Sequence, residues 1–537
     1  MIKAMAPTAQ LLESTQGTYA SVTDKLKHTR RLMLKTQTQT PRLVTAFRSA
    51  TMGMAPPALL LPLLLLLPLL STAAPATTTT TTLPLYRHLP QHVGEEAAQQ
   101  HHPLSRLAAA SLARAAHLKG HKAGAQQGSK HPAAANTALY PHSYGGYAFT
   151  ASLGTPPQPL PVLLDTGSHL TWVPCTSDYQ CRDCPPAAAP VFHPKNSSTS
   201  RIIGCRNPSC LWVHSAAHLA AATNCTTSSV CPPYAVVYGS GSTAGLLIAD
   251  TLRAPAGRAV NSFVLGCSLV SVHQPPSGLA GFGRGAPSLP AQLGLDKFGY
   301  CLLSRRFDDN AAVSGSLVLG GGDGKPTKEM QYVPLVRSAA GDKQPYAVYY
   351  YLALTAVTVG GKSVRLPERA FAANAAGSGG AIVDSGTTFT YLDPTVFQPV
   401  ADAVVAAVGA RYKRSKDAED GLGLRPCFAL PQGAKSMALP ELSLHFKGGA
   451  EMKLPLENYF VVAGRAPTVP GADAAASSAE AICLAIVTDL GGNGGAGDVT
   501  GGPAIILGSF QQQNYYVEYD LAKERLGFRR QPCAASS

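Results

Sequence analysis

Two short stretches of the sequence hold an aspartate in the same setting, 219 positions apart. The first reads Val-Leu-Leu-Asp-Thr-Gly-Ser over residues 162–168, and the second reads Ala-Ile-Val-Asp-Ser-Gly-Thr over residues 381–387. The likeness continues past the glycines, where Thr-Trp-Val is matched by Thr-Tyr-Leu. Because the repeat extends over a dozen residues or so, Asp165 and Asp384 are candidates for one shared chemical task.

Each copy predicts the same local structure. An apolar run rich in Val, Leu and Ile indicates a buried strand, and the glycine two residues after the aspartate allows a tight turn. The aspartate is therefore held at the junction of a strand and a loop. A single aspartate hydrogen-bonded in a turn would explain one copy, but it does not explain two copies in matched surroundings.

Two carboxylates brought face to face do not readily both ionise, so one of them keeps its proton above its usual pKa. The ionised carboxylate can then take a proton from a water molecule, while the protonated one donates to a carbonyl oxygen. The pair therefore predicts hydrolysis by an activated water, with no covalent intermediate, no cofactor and no metal.

The two stretches resemble the two catalytic signatures of pepsin-like aspartic proteases. The resemblance covers roughly residues 137–533 and implies a mostly β fold with two lobes related by a pseudo-twofold axis, at 138–335 and 336–537. It implies that Asp165 and Asp384 are catalytic. It further implies that a hydroxyl three residues after each aspartate bonds its outer oxygen and that two hydroxyls brace the loops. The supporting residues are Ser168 and Thr387 for the first role, Thr166 and Ser385 for the second, and Gly167 and Gly386 at the turns.

Composition also favours a β-rich protein. The 537 residues include 51 glycines and 43 prolines, and only 14% are charged, which suits strands and turns better than a helical bundle. Most of the net charge of +13 belongs to the front of the chain, since residues 138–537 hold 30 basic and 27 acidic side chains. No basic stripe there predicts binding to nucleic acid.

The cysteines predict an oxidising compartment. All twelve follow residue 174, which favours six disulfides. The Cys-x-x-Cys at 181–184 is interpreted as part of a disulfide-rich loop rather than a metal or redox pair. Cys427 and Cys483 are expected to pair within the second lobe.

The front of the chain reads as a leader. Residues 54–74 contain 13 apolar residues at 58–70, followed by small residues. This run is shorter than the ~20 residues that span a membrane and is typical of a signal peptide, with a membrane anchor as the alternative. Residues 1–53 are an uncertain N-terminal extension, and Met52 or Met54 is the expected working start.

Residues 75–137 resemble, by position, the propeptide of an aspartic protease. They begin with a threonine run at 77–82, interpreted as a linker, and the Ala- and Leu-containing stretch at 104–119 predicts a helix. Seven of the 15 histidines fall in this segment. We expect the segment to lie over the acidic pair near neutral pH and to leave as its histidines protonate below about pH 6.5. A solvated tail without regulatory meaning is the alternative.

A cysteine-dense insertion narrows the resemblance. Seven cysteines lie within 174–231, directly after the first signature, which is similar to the nepenthesin-like, or atypical, plant type. Asn196 and Asn224 begin N-glycosylation sequons in this insertion.

The apolar runs at 235–237 and 245–248 surround a Gly/Ser-rich tip and predict a β-hairpin. By resemblance it is the flap that closes over bound peptide, with Tyr238 and Gly239 contacting the substrate. Trp172 stands where the family places the hydrogen-bond partner of that tyrosine. Core packing is the alternative interpretation of Trp172.

Together these features predict a secreted aspartic endopeptidase that hydrolyses polypeptides at acidic pH in the apoplast or cell wall, with the vacuole as an alternative. We expect a monomer without a nucleic-acid partner or a stable membrane anchor. The alternative from another class is a catalytically silent binding protein on the same fold, such as an inhibitor of cell-wall glycosidases. The presence of both aspartates argues against that alternative.

Overall fold

The structure, a computed structural model, describes sixteen stretches of the chain between residues 81 and 533. These are residues 81–87, 103–119, 146–184, 190–215, 219, 229–238, 241–253, 259–274, 277–304, 315–320, 329–337, 341, 346–431, 437–465, 480–489 and 501–533. The expected extension at 1–53 and signal peptide at 54–74 lie outside the described residues, as does most of 75–137.

The described residues are mostly β. Their strands are β1 Thr81–Arg87, β2 Tyr147–Leu153, β3 Gln158–Asp165, β4 Trp172–Pro174, β5 Gln180–Arg182, β6 Arg201–Ile202, β7 Tyr234–Val237, β8 Ser242–Arg253, β9 Ala259–Val272, β10 Gly278–Gly281, β11 Lys297–Cys301, β12 Gly315–Leu319, β13 Gln331–Val336, β14 Tyr350–Leu352, β15 Leu354–Val359, β16 Lys362–Ser363, β17 Ala381–Val383, β18 Thr390–Leu392, β19 Cys427–Ala429, β20 Leu442–Phe446, β21 Glu451–Leu454, β22 Phe460–Arg465, β23 Glu480–Leu484, β24 Ile486–Val487, β25 Ile505–Leu507, β26 Tyr515–Asp520 and β27 Arg525–Arg530. The α-helices are α1 Pro103–Leu118, α2 Leu289–Gln292, α3 Pro394–Val408 and α4 Lys416–Leu422.

The same strand arrangement surrounds each aspartate. β3 runs parallel to β10, with Asp165 opposite Gly281, and β17 runs parallel to β25, with Val383 opposite Leu507. In both places the apolar run is buried and the aspartate follows at its carboxyl end. The sequence repeat is therefore a structural repeat, and the predicted bilobal, pseudo-twofold β fold is confirmed.

A central antiparallel sheet joins the two halves in the order β1, β12, β11, β26, β27 and β13. β13 also pairs antiparallel with β14, which belongs to the second half. The interpretation of 77–82 as a linker is wrong at its end, because Thr81 and Thr82 begin β1 and pair with Leu319 and Val318. Main-chain bonding to an exposed strand edge depends little on side chains, and threonine suits a strand.

Five disulfides join described cysteines. Cys427 pairs with Cys483 as expected. Cys181 pairs with Cys184, so the interpretation of the Cys-x-x-Cys as disulfide-bonded is confirmed. The other three pairs are Cys175–Cys267, Cys210–Cys231 and Cys301–Cys533, and Cys205 is also disulfide-bonded.

The helix predicted at 104–119 is confirmed as α1. Its buried side chains join the hydrophobic core of the second half, where Leu107 and Leu118 lie in one cluster with Tyr349, Phe389 and Leu422. Packing of this apolar face is what fixes the helix, since isolated helices of this length are marginal in water. This docking brings its polar residues to the two aspartates.

Candidate active site

Asp165 is held by its own loop. The Gly167 amide donates to Asp165 Oδ1 at 3.0 Å, and the Ser168 hydroxyl donates to Oδ2 at 2.5 Å. The aspartate is only 2% exposed. Both donors favour the ionised carboxylate and fix its plane.

Asp384 is held in the same way. The Gly386 amide donates to Oδ1 at 2.9 Å, and the Thr387 hydroxyl donates to Oδ2 at 2.6 Å. A Cβ atom at Gly167 would lie 2.7 Å from Asp384 Oδ1, so glycine is what lets the first loop approach the second carboxylate. The hydroxyls of Ser168 and Thr387 make the bonds that were expected of them, whereas the bonds from the two glycine amides were not predicted.

The two loops brace each other through a reciprocal pair of hydrogen bonds. The Thr166 amide donates to Ser385 Oγ at 3.1 Å, and the Ser385 amide donates to Thr166 Oγ1 at 2.9 Å. Ser385 Oγ also donates to the carbonyl of Leu164 at 3.0 Å. All these groups are buried, so the relative position of the two carboxylates is set by the backbone of both halves.

Arg114 of α1 lies between the two carboxylates, and the sequence interpretation did not single it out. Its Nη2 lies 2.7 Å from Asp165 Oδ1 and its Nε lies 3.2 Å from Asp384 Oδ2. Burial alone would lower the pKa of this guanidinium, but the charges of Asp165 and Asp384 raise it above its ordinary value. Arg114 therefore stays charged at every pH of interest.

The two carboxylates titrate as a pair with opposite tendencies. Burial raises the pKa of Asp165, against the opposing charge of Arg114. Burial also acts to raise the pKa of Asp384, but the Arg114 charge and the Thr387 and Gly386 donors outweigh it, and this pKa is lowered. Because the two groups are coupled, their protons belong to the pair, and the opposite directions favour a state that holds a single proton.

Spacing along α1 contains the signal that identifies Arg114. Residues 104, 107, 111, 114 and 118 recur at intervals of three and four, which places them on one helix face. Leucines occupy three of these positions, and Ser111 and Arg114 occupy the others. Both polar side chains are buried: Ser111 Oγ accepts the Phe389 amide at 2.8 Å and donates to the carbonyl of Leu107 at 2.8 Å. A cation on the apolar face of a helix needs an anionic partner.

The predicted hairpin is formed by β7 and β8. The Trp172 indole N–H donates to the Tyr238 hydroxyl at 2.8 Å, as expected, and both side chains are buried. Burial raises the pKa of Tyr238, as does the nearby charge of Asp165. His117 of α1 lies beside the hairpin, with 6.2 Å between its ring centroid and that of Tyr238. Gly239 lies outside the described residues.

The last two predicted residues are the first residues of the glycosylation sequons. Asn196 is exposed at the surface, and Asn224 is outside the described residues. Among the side chains that the structure describes, one group has the spacing of a metal site, namely Cys210, His214 and Cys231. Its two cysteines are bonded to each other, which removes the thiolates that would hold a metal.

A two-lobed β fold with one braced aspartate in each lobe defines the pepsin-like class of protein. Two family models match the chain: one described as xylanase inhibitor N-terminal over residues 147–321, and one described as xylanase inhibitor C-terminal over residues 349–530. A solved structure entitled "Crystal structure of edgp" matches with a TM-score of 0.51 and 18% identity, covering 74% of this chain and 93% of that one. That likeness shows the fold.

Sequence relatives narrow the class. A probable aspartyl protease of Arabidopsis thaliana is 32% identical over 430 residues, which are 72% of this chain and 82% of the relative. Aspartic proteinase nepenthesin-1 of Nepenthes gracilis is 29% identical over 410 residues, which are 75% of this chain and 82% of the relative. The chain belongs to the pepsin-like aspartic protease family, in its nepenthesin-like plant type. No helix among the described residues is long and apolar enough to cross a membrane.

Proposed function

We propose that the chain is an aspartic endopeptidase, with Asp165 and Asp384 as its catalytic residues, made in a latent form. The observation that carries the proposal is the symmetric support of the two carboxylates. Each accepts one glycine amide and one hydroxyl, and the two loops brace each other. A turn-capping role for a single aspartate requires none of this symmetry.

Catalysis in this proposal requires the pair to hold one proton. The ionised carboxylate takes a proton from a water molecule bound between the two, and the protonated one donates to the scissile carbonyl. Two buried carboxylates this close favour such a singly protonated state. Tyr238 and Gly239 of the hairpin would close over the peptide, with Trp172 holding the tyrosine.

Latency follows from the position of α1. Arg114 contacts both carboxylates, so its guanidinium occupies the position between them that the water and the scissile carbonyl need. We therefore propose that 75–137 is an inhibitory propeptide that is removed from the two-lobed body at 138–537. Residues 54–74 would direct secretion, the disulfides suit the extracellular space, and Asn196 and Asn224 are proposed glycosylation sites.

The proposal is tested with the full-length secreted protein, acid-treated and then supplied with a denatured protein at pH 3–5. We expect cleavage that pepstatin inhibits and that both Asp165→Asn and Asp384→Asn abolish. Thr388→Val, which changes a neighbouring hydroxyl without a contact to either carboxylate, is the matched control. A processed, folded protein that cleaves nothing would refute the proposal.

The description of the matching family models supports a second candidate function, an inhibitor of a glycosidase such as xylanase. In such a protein the carboxylate pair has no task, and Asp165→Asn would leave inhibition unchanged. Inhibition of a xylanase by the purified protein, with no proteolysis, would favour this candidate.

A further inference from the structure

Lys119, the residue after α1, places its ammonium group in a pocket of the second lobe. Its Nζ donates to the Tyr391 hydroxyl at 2.7 Å and lies 3.3 Å from Asp393 Oδ2 and 3.8 Å from Asp489 Oδ2. The same nitrogen lies 4.8 Å from the centroid of the Tyr391 ring. Two carboxylates, a phenol oxygen and an aromatic face together form a binding site for a cation.

The walls of this pocket are positioned without Lys119. The Tyr391 hydroxyl donates to Asp489 Oδ2 at 2.7 Å. Asp393 caps the first turn of α3 through its other oxygen, and Arg369 lies 3.1 Å from Asp393 Oδ2. With Lys119 in place, two carboxylates face two cations. Without it, Arg369 still faces Asp393, whereas Asp489, whose side chain is 35% exposed, has lost its cation, and this negative charge favours the entry of another cation.

The pocket lies along the path that α1 takes across the catalytic pair. Lys119 follows Arg114 by five residues, about 7.5 Å along a helix axis, which an extended peptide covers in two to three residues at about 3.3 Å each. The hydroxyls of Tyr349 and Tyr346 donate to the carbonyls of Leu118 at 3.3 Å and of Lys119 at 3.4 Å. These are contacts that the main chain of any peptide can make.

We infer that this pocket, once α1 has left, binds a lysine or arginine side chain of the peptide substrate, two or three residues from the scissile bond. The inference rests on the proposed function, because it makes the pocket a specificity subsite of that protease. In the latent form Lys119 occupies the subsite as a substrate side chain would.

The test uses the processed enzyme and peptides of one sequence that carry either lysine or norleucine at each of the three positions on both sides of the scissile bond. At one position we expect kcat/KM to favour lysine by about tenfold or more, the range for a hydrogen bond to a charged group. Asp489→Asn should bring this ratio close to one, whereas Asp402→Asn, on the exposed face of α3, should keep it. The ratio is taken within each variant, so differences in active fraction cancel.

A lysine-to-norleucine ratio near one at every position, or a ratio that Asp489→Asn leaves intact, would overturn the inference. If no peptide is cleaved, the proposed function fails, and recognition of a cation by the pocket is then measured in the full chain, with Lys119 as the cation. Lys119→Met, Asp489→Asn and the double variant are then compared by hydrogen exchange of the α1 amides. A coupling of about tenfold or more in the opening equilibrium supports cation recognition, and a coupling near one overturns it.

Discussion

His117 is the group on α1 through which acid should weaken docking of the helix. It lies three residues after Arg114, beside Tyr238, and it is partly buried. Its pKa is lowered to about 4, because burial and the charge of Arg114 together outweigh the opposing charge of Asp384. In the released helix the pKa returns to about 6.5. We predict that His117→Gln makes release of α1 much less sensitive to acid.

The size and sign of the effect follow from the two pKa values. Since the docked histidine binds a proton less tightly than the released one, docking is strongest above about pH 6.5 and weakens as pH falls toward about 4. At pH 5 the protonation of the released form favours release about 30-fold, or about 2 kcal/mol, and the limit well below pH 4 is about 300-fold. His117→Gln removes this factor, while at pH 7 it is close to one.

The opening equilibrium of α1 can be measured by pulsed hydrogen exchange within seconds of a pH jump, before proteolysis removes the helix. We expect His117→Gln to open about 30-fold less than wild type at pH 5 and nearly equally at pH 7. His445→Gln, in β20 away from α1, should behave as wild type. Parallel pH dependences in wild type and His117→Gln would refute the reasoning, whatever their absolute opening constants.

Three further predictions follow from the same contacts. Arg114→Met should leave two buried carboxylates unpaired and weaken docking of α1 by about 3–5 kcal/mol. This should be measured as at least a hundredfold more α1 opening at pH 7, and opening equal to wild type would contradict the inhibitory role. Thr387→Val removes a donor to Asp384 and should raise the pKa of that carboxylate. The acid limb of the kcat/KM profile should then move up by about one pH unit. Thr388→Val is the control, and an acid limb that does not move would contradict the prediction. Trp172→Phe removes the hydrogen bond to Tyr238 and should lower kcat/KM for peptides about fivefold, and an unchanged value would mean that Trp172 serves only as core packing.

Much of the site could be predicted because its information is local. Asp165 and Asp384 each lie within a few residues of the glycine amide and hydroxyl that hold them, and the order of residue types fixes those contacts. The brace between Thr166 and Ser385 spans the two lobes, and it was expected from the family resemblance, as was the pseudo-twofold axis. Trp172 and Tyr238 could be joined only through the family resemblance.

The contacts of α1 could not be predicted in the same way. Its helical pattern is local, but Arg114 meets partners 51 and 270 positions away, and only the docked orientation selects them. The contacts of Lys119 could not be predicted either, because its pocket brings together Tyr391 of β18 and Asp489, which are distant from Lys119 in the sequence. The histidine count pointed to a pH-sensitive segment, but only the docked position of His117, the one histidine of that segment within the described residues, lowers its pKa to about 4, through burial and the charge of Arg114.

In the proposed function, release of α1 and catalysis draw on the same proton. Arg114 remains charged, so acid cannot act by discharging it, and the carboxylates must change instead. The pair takes up a first proton as pH falls, and burial raises the pKa of Asp165, the carboxylate that makes the shorter of the two ion pairs with Arg114. That proton halves the negative charge that holds the guanidinium, and it also creates the singly protonated pair that hydrolysis needs. The pH range in which the helix leaves should therefore overlap the range in which the exposed pair is active, and the protonation of His117 extends that overlap toward neutral pH.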